Sequence, residues 1–174
     1  MKNKINTRKL TTNGILIALG VILHQITPPF LGMQADFSLA IMFIIIVMNR
    51  DYKTTFVVGI VMGIFAALTT KTVGGQLPSI IDKFLSANLI FLMLIPIRSK
   101  LKDTYQVIIS LFLGTIASGT IFLASLSYLS GLPMAFSVLM LTVVIPTTAI
   151  NCVLGTVLYK IVNTSMNKLG MLKE

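Results

Sequence analysis

The chain has 174 residues, 55% apolar and only 11% charged, whereas a soluble domain of this size carries roughly a quarter of its residues charged. One cysteine excludes an intramolecular disulfide, and with His24 as the single histidine it leaves almost no material for a Cys/His metal centre. The net charge of +9, from fourteen basic and five acidic residues, is scattered through short connectors rather than gathered on one soluble module, which points to membrane topology and away from nucleic acid.

Six apolar stretches follow one another, at about 12–26, 37–48, 54–70, 80–97, 105–129 and 134–162. A full helical crossing of a bilayer takes about 20 residues, so the first two are short, and the second has to borrow 31–36 to get across. A short span is either a helix broken at mid-depth beside a cavity, as in many transporters, or an ordinary helix whose ends are held near a thin interface.

The connectors alternate in charge. Lys2, Lys4, Arg8 and Lys9 precede the first span, Arg50 and Lys53 follow the second, Arg98, Lys100 and Lys102 follow the fourth, and Lys160, Lys168 and Lys173 close the chain. Only Lys71 and Lys83 fall on the other side. Basic residues are retained in the cytoplasm, so the expectation is an all-α polytopic membrane protein, one domain over 1–174, with six transmembrane helices and both the N and C termini cytoplasmic. A cleaved signal peptide fits poorly because no small-x-small site follows Ile26, and a β-barrel fits poorly because the runs do not alternate. The sequon at Asn163 lies on the cytoplasmic side and carries no meaning there.

Small residues four apart allow close helix approach: Gly14 and Ala18 in the first span, Gly59, Gly63 and Ala67 in the third, Gly114 and Ser118 in the fifth. Such stripes either seal the bundle internally or face a partner subunit. Pro28 and Pro29 are expected to end the first helix, Pro78 to open the fourth and Pro133 the sixth, while Pro146 is expected to kink the sixth beside Thr147, Thr148 and Asn151.

The outward-facing connectors hold the unusual chemistry. The first carries Gln34 and Asp36 into the second span; the other runs from Thr70 and Lys71 through Gly74, Gly75 and Gln76 to Asp82 and Lys83. If Pro78 starts the helix, free amides around Ser79 to Ile81 form a positive end that favours a carboxylate. Asp82 and Lys83, adjacent on a helix, point about 100° apart. Lys83 then snorkels to the interface while Asp82 pairs locally, or Asp82 holds a substrate ammonium whose carboxylate goes to Lys71 or the helix end. Gln76 both donates and accepts. His24, with Asn88 six residues beyond Asp82, either bonds to nearby backbone or completes a polar ring with Asp36 and Asp82. Phe30, Met33 and Phe37 would cover an aromatic or aliphatic substrate. No phosphate-binding Gly-x-x-x-x-Gly-Lys-Ser/Thr stretch and no assignable nucleophile occur, so no enzymatic activity and no cofactor are expected.

The run Gly74, Gly75, Gln76, Leu77, Pro78, Ser79, Ile80, Ile81, Asp82, Lys83, with the His24 helix end and the 32–36 connector, resembles the bacterial tryptophan transporter family over nearly the whole chain. Ser79 stands where the family carries Asn, and Gln34 and Ala35 stand where it carries Lys and Pro. The resemblance implies uptake of tryptophan across the bacterial plasma membrane, with Asp82 or Asp36 for the ammonium, Lys71 or the fourth-helix start for the carboxylate, and Gln76 for the indole donor. In size and span number the chain is also similar to the substrate-binding subunits of energy-coupling-factor vitamin transporters. That likeness implies a transmembrane coupling subunit with an ATPase pair, docked on Gly14 and Ala18. A vitamin such as thiamine or riboflavin as ligand, and a non-transporting subunit whose polar patch binds another protein, are the alternatives.

Overall fold

The computed structural model describes residues 7–27 and 36–168, and among these every regular element is helical. The helices are α1 (Thr7–Ile26), α2 (Phe37–Asn49), α3 (Tyr52–Thr69), α4 (Gln76–Leu94), α5 (Asp103–Leu129), the short α6 (Phe136–Leu139), a π-helical segment (Met140–Val144) and α7 (Ile145–Lys168). Among the described residues, α1, α3, α4, α5 and the continuous run Phe136–Lys168 are long and apolar enough to cross a membrane. The chain is therefore an all-α polytopic membrane protein.

The remaining helix, α2, is the axis of the bundle. A helix that is apolar on every side belongs either in lipid or in a protein core, and α2 takes the second place, with every residue from Ser38 to Val47 buried. It packs against α1, α3, α4, α5 and α7. Its 13 residues span only about 20 Å at 1.5 Å per residue. The helix begins at Phe37, capped by the Asp36 side chain, which accepts a hydrogen bond from the Leu39 N–H. Residues 31–35, expected to lengthen it, lie outside the described residues, as do Gln34, Pro28 and Pro29.

At its other end α2 stops at Arg50, whose left-handed φ of 57° turns the chain sharply before Asp51 caps α3. That conformation is unfavourable for a residue with a side chain, and the Arg50 guanidinium is held by Asp103 at 2.6 Å.

Small residues set the helix spacings. A methyl group at Gly63 would come within 3.1 Å of the Ile80 backbone and one at Gly59 within 3.0 Å of Ala87, so the α3 stripe seals α3 against α4. Gly114 does the same for α5 against the Phe43 ring of α2. On α1 the packed side is Asn13, Leu16 and Gly20, whereas Gly14 and Ala18 are exposed and Gly14 has nothing within 4 Å of its would-be side chain.

Three proline expectations are refined. Pro78 lies in the first turn of α4, but the helix begins earlier, at Gln76, and the Ser79 N–H bonds to Gly75 O at 2.9 Å. The free amides expected around Ser79 to Ile81 therefore sit at Gln76 and Leu77. Pro133 precedes α6 by three residues rather than opening it. Pro146 sits just after the π-helical turn, in which the Ile145 N–H reaches back to Met140 O. A proline inside a helix offers no N–H and crowds the carbonyl four residues earlier; widening the preceding turn relieves both.

Candidate functional site

A cavity of about 390 Å³ opens between the ends of α1, α2 and α3 and the facing sides of α4, α5 and α7, within the size range of small-molecule sites. Its lining combines two chemistries: Asp36, Asp82, Lys83 and His24, which lie against one another, and the apolar Phe122, Leu126, Leu139 and Val143. The end of α3 and the following segment contribute Thr69, Thr70 and Lys71.

The charged side is built from the two helix starts that meet there. Asp36 must stand at the N-terminus of α2 to cap it, and one oxygen of its carboxylate takes both the Leu39 N–H, at 2.9 Å, and the Ser38 hydroxyl, at 2.6 Å. Its second oxygen accepts from Lys83 Nζ at 2.7 Å. The same ammonium donates to Asp82 at 2.9 Å, and the other Asp82 oxygen accepts from the Ser86 hydroxyl at 2.9 Å. Asp82 and Lys83 are 2% and 4% exposed. One lysine is thus shared by a buried carboxylate, Asp82, and a partly exposed one, Asp36, and His24 Nδ1 lies 3.6 Å from Asp36.

Lys83 therefore does not snorkel. Although adjacent helical residues diverge, its flexible four-carbon stem curls back so that one ammonium reaches both the neighbouring carboxylate and one on another helix. An ionic group removed from water needs this degree of pairing, because an isolated charge in a low-dielectric interior is far costlier.

A second polar chain supports the first. The backbone N–H of Asp36 donates to Asn151 Oδ1 at 2.8 Å, and Asn151 Nδ2 donates to Thr115 Oγ1 at 3.4 Å. Asn151 is 2% exposed, so α7 and α5 jointly fix the start of α2.

Of the residues singled out in the sequence, Asp82, Asp36, His24 and Lys71 are brought together around the cavity. Gln76 is not: as the first residue of α4 it is exposed, and its side chain does not line the cavity. Nor does Asn88, which is half-buried and donates to Phe84 O of its own helix at 2.7 Å. The polar lining residues not singled out as site residues include Lys83, the hub of the ionic cluster, together with Thr69, Thr70, Thr72, Ser79, Thr115, Ser118, Thr147 and Asn151. Ser118 carried a signal as part of a small-residue stripe, and Thr147 and Asn151 as neighbours of Pro146; Thr115 carried none. No group of three or more potential metal-binding side chains lies together among the described residues.

The family described as "Tryptophan transporter TrpP" matches residues 6–167. The chain is 47% identical over 164 residues to a "Probable tryptophan transport protein" of Clostridium acetobutylicum, covering 94% of this chain and 96% of the relative. A protein of the same description from Clostridium perfringens is 44% identical over 99% of this chain and 100% of its own length. A third, from Bacillus subtilis, is 38% identical over 94% of this chain and 95% of its own length. No solved structure matches. The family match along almost the full length of the polytopic bundle places the chain in the tryptophan transporter family TrpP.

Proposed function

We propose that the chain takes up tryptophan across the bacterial plasma membrane, enclosing it in the cavity at the head of α2. The observation that carries this reading is the mixed lining of the cavity, where the ion-paired Asp36, Asp82 and Lys83 are joined by the apolar Phe122, Leu126 and Val143. An amino-acid zwitterion with a large aromatic side chain carries the same two chemistries. Asp82 and Asp36 offer oxygen acceptors to its ammonium, and Lys71, on the segment after α3, offers a cation to its carboxylate as it enters. The apolar wall takes the ring, and the hydroxyls of Thr115, Ser118 or Thr147 are placed to meet the indole N–H in the role first assigned to Gln76.

The proposal places six crossings in one domain, with α2 as a short central span and both termini in the cytoplasm, which puts Lys71 and the cavity mouth on the outer side. The exposed Gly14 and Ala18 on α1 are the face on which a transmembrane coupling subunit and its ATPase pair would dock.

Labelled tryptophan uptake into proteoliposomes containing only this chain tests the reading, with thiamine and riboflavin as competitors. Tryptophan is expected to bind saturably and neither vitamin to displace it. Asp82→Asn is expected to insert normally and to lose most of the binding; unaltered binding would remove Asp82 from the site. Binding without uptake until a partner ATPase is supplied would assign the coupling face; uptake by the chain alone would dismiss it.

A further inference from the structure

We infer that Lys83 is the partner of the substrate carboxylate, and that the ligand enters by exchanging ion pairs with the Asp82–Lys83 pair already present. The inference rests on the reading of the cavity as an amino-acid site. Before binding, Lys83 Nζ donates to Asp82 at 2.9 Å and to Asp36 at 2.7 Å. The two bonds are not equally replaceable. Asp36 is anchored by the Leu39 N–H, the Ser38 hydroxyl and, through its own backbone, by Asn151. The Asp82 carboxylate is held by side chains, Ser86, Ser118 and Lys83, with no backbone cap of the kind that fixes Asp36, and it shares a helix with Lys83, so opening that pair needs side-chain rotation and no helix movement.

A zwitterion opens the pair without leaving either charge bare. Its ammonium takes the Asp82 carboxylate, and the Lys83 N–H released from Asp82 takes its carboxylate, while Lys83 keeps Asp36. One ion pair becomes two, the net charge of the cluster is unchanged, and no proton or metal ion is required. A ligand with only one of the two charges cannot do this. An acid alone takes Lys83 and leaves the Asp82 carboxylate uncompensated inside the protein, the costly half of disrupting a buried pair; an amine alone pairs with Asp82 and leaves the Lys83 N–H released from it without an acceptor, Lys83 keeping Asp36 only. Lys71, at the exposed segment after α3, meets the ligand first, but the choice between zwitterion, amine and acid lies with the enclosed pair.

The test is direct binding of three probes to the detergent-purified full chain: tryptophan, tryptamine, which lacks the carboxylate, and indole-3-propionate, which lacks the ammonium. The wild-type protein is expected to favour tryptophan over either by roughly 10- to 100-fold, the range for loss of a charged hydrogen-bond partner. Lys83→Met is expected to rank tryptamine above tryptophan, and Asp82→Asn to move the ranking the other way, toward indole-3-propionate. Opposite shifts establish the exchange; an unchanged ranking in Lys83→Met, with tryptophan still bound, overturns it and leaves the transport reading intact. If Lys83→Met does not fold, the double variant Asp82→Asn with Lys83→Met removes one carboxylate together with the ammonium and leaves Asp36 as the one carboxylate of the cluster. It too is expected to prefer tryptamine, and a wild-type ranking there overturns the inference. Wild-type protein that binds none of the three overturns both readings.

Discussion

The two ends of α2 carry the same kinds of side chain and use them differently. At the N-terminal end, Asp82 and Lys83 are buried and Asp36 is mostly so beside a cavity, and each carboxylate oxygen has a donor. At the C-terminal end, Lys9 pairs with Asp51 and Arg50 with Asp103 in half-exposed positions, Asn13 and Asn49 exchange reciprocal hydrogen bonds of 3.0–3.2 Å, and Arg98 stacks over Phe91 while donating to Arg50 O. None of these C-terminal residues lines the cavity. Burial makes the difference. Charges that retain water tether helix ends loosely, whereas charges cut off from water must be completely partnered and so become fixed in place, ready to recognise other charges.

Removing one partner at each end would sharpen the contrast. Lys83→Met leaves the buried Asp82 and the partly buried Asp36 without this counter-ion and is expected to lower stability by about 3–5 kcal/mol, read as a large drop in the unfolding temperature of the detergent-solubilised protein. Gly114→Ala drives a methyl group into the Phe43 ring and should cost about 1–3 kcal/mol in the same assay; Gly14→Ala, on the open face of α1, should leave stability unchanged. Asn49→Ala, which breaks the reciprocal pair at the C-terminal end, is expected to cost about 1 kcal/mol. Arg50→Lys keeps the charge on the half-exposed pair and is expected to change stability by less than about 1 kcal/mol. A loss there equal to that of Lys83→Met would erase the distinction between the ends.

The smallest effect is one of pH. Burial alone would raise the Asp51 carboxyl, but hydrogen bonds from Lys9 and the Thr54 N–H bring it below its ordinary value of 3.8. A lowered folded-state value means that the Lys9–Asp51 tether contributes fully above the ordinary value and is lost as pH falls through the lowered one. The melting temperatures of wild-type protein and Asp51→Asn should therefore differ slightly at neutral pH and converge in strong acid. Convergence already at pH 6 would contradict the assignment.

Much of this was legible in the sequence because hydropathy and proline positions act locally. The helix ends at Ile26 and Leu129 and the start at Phe37 fall where the apolar runs change. What was not legible depends on three-dimensional encounter. Lys83 and Asp36 are 47 residues apart, and nothing in either segment announces that one ammonium serves both carboxylates. Gln76 attracted attention as a polar residue in a flexible connector, yet its position at the first turn of α4 turns it outward. Asn151 lies 115 residues from the backbone amide it holds. Sequence spacing showed that small residues lined one side of several helices; only the packed bundle shows that the α3 and α5 stripes close on neighbours while that of α1 does not.

The shortness of α2 bears on biogenesis. A thirteen-residue segment is too brief to partition stably into lipid alone, so its insertion free energy has to come from companion helices that are already in place or arrive with it. A chain truncated after Asn49 should consequently fail to retain this segment in the bilayer, and retention should return only as later helices are added to complete its sheath.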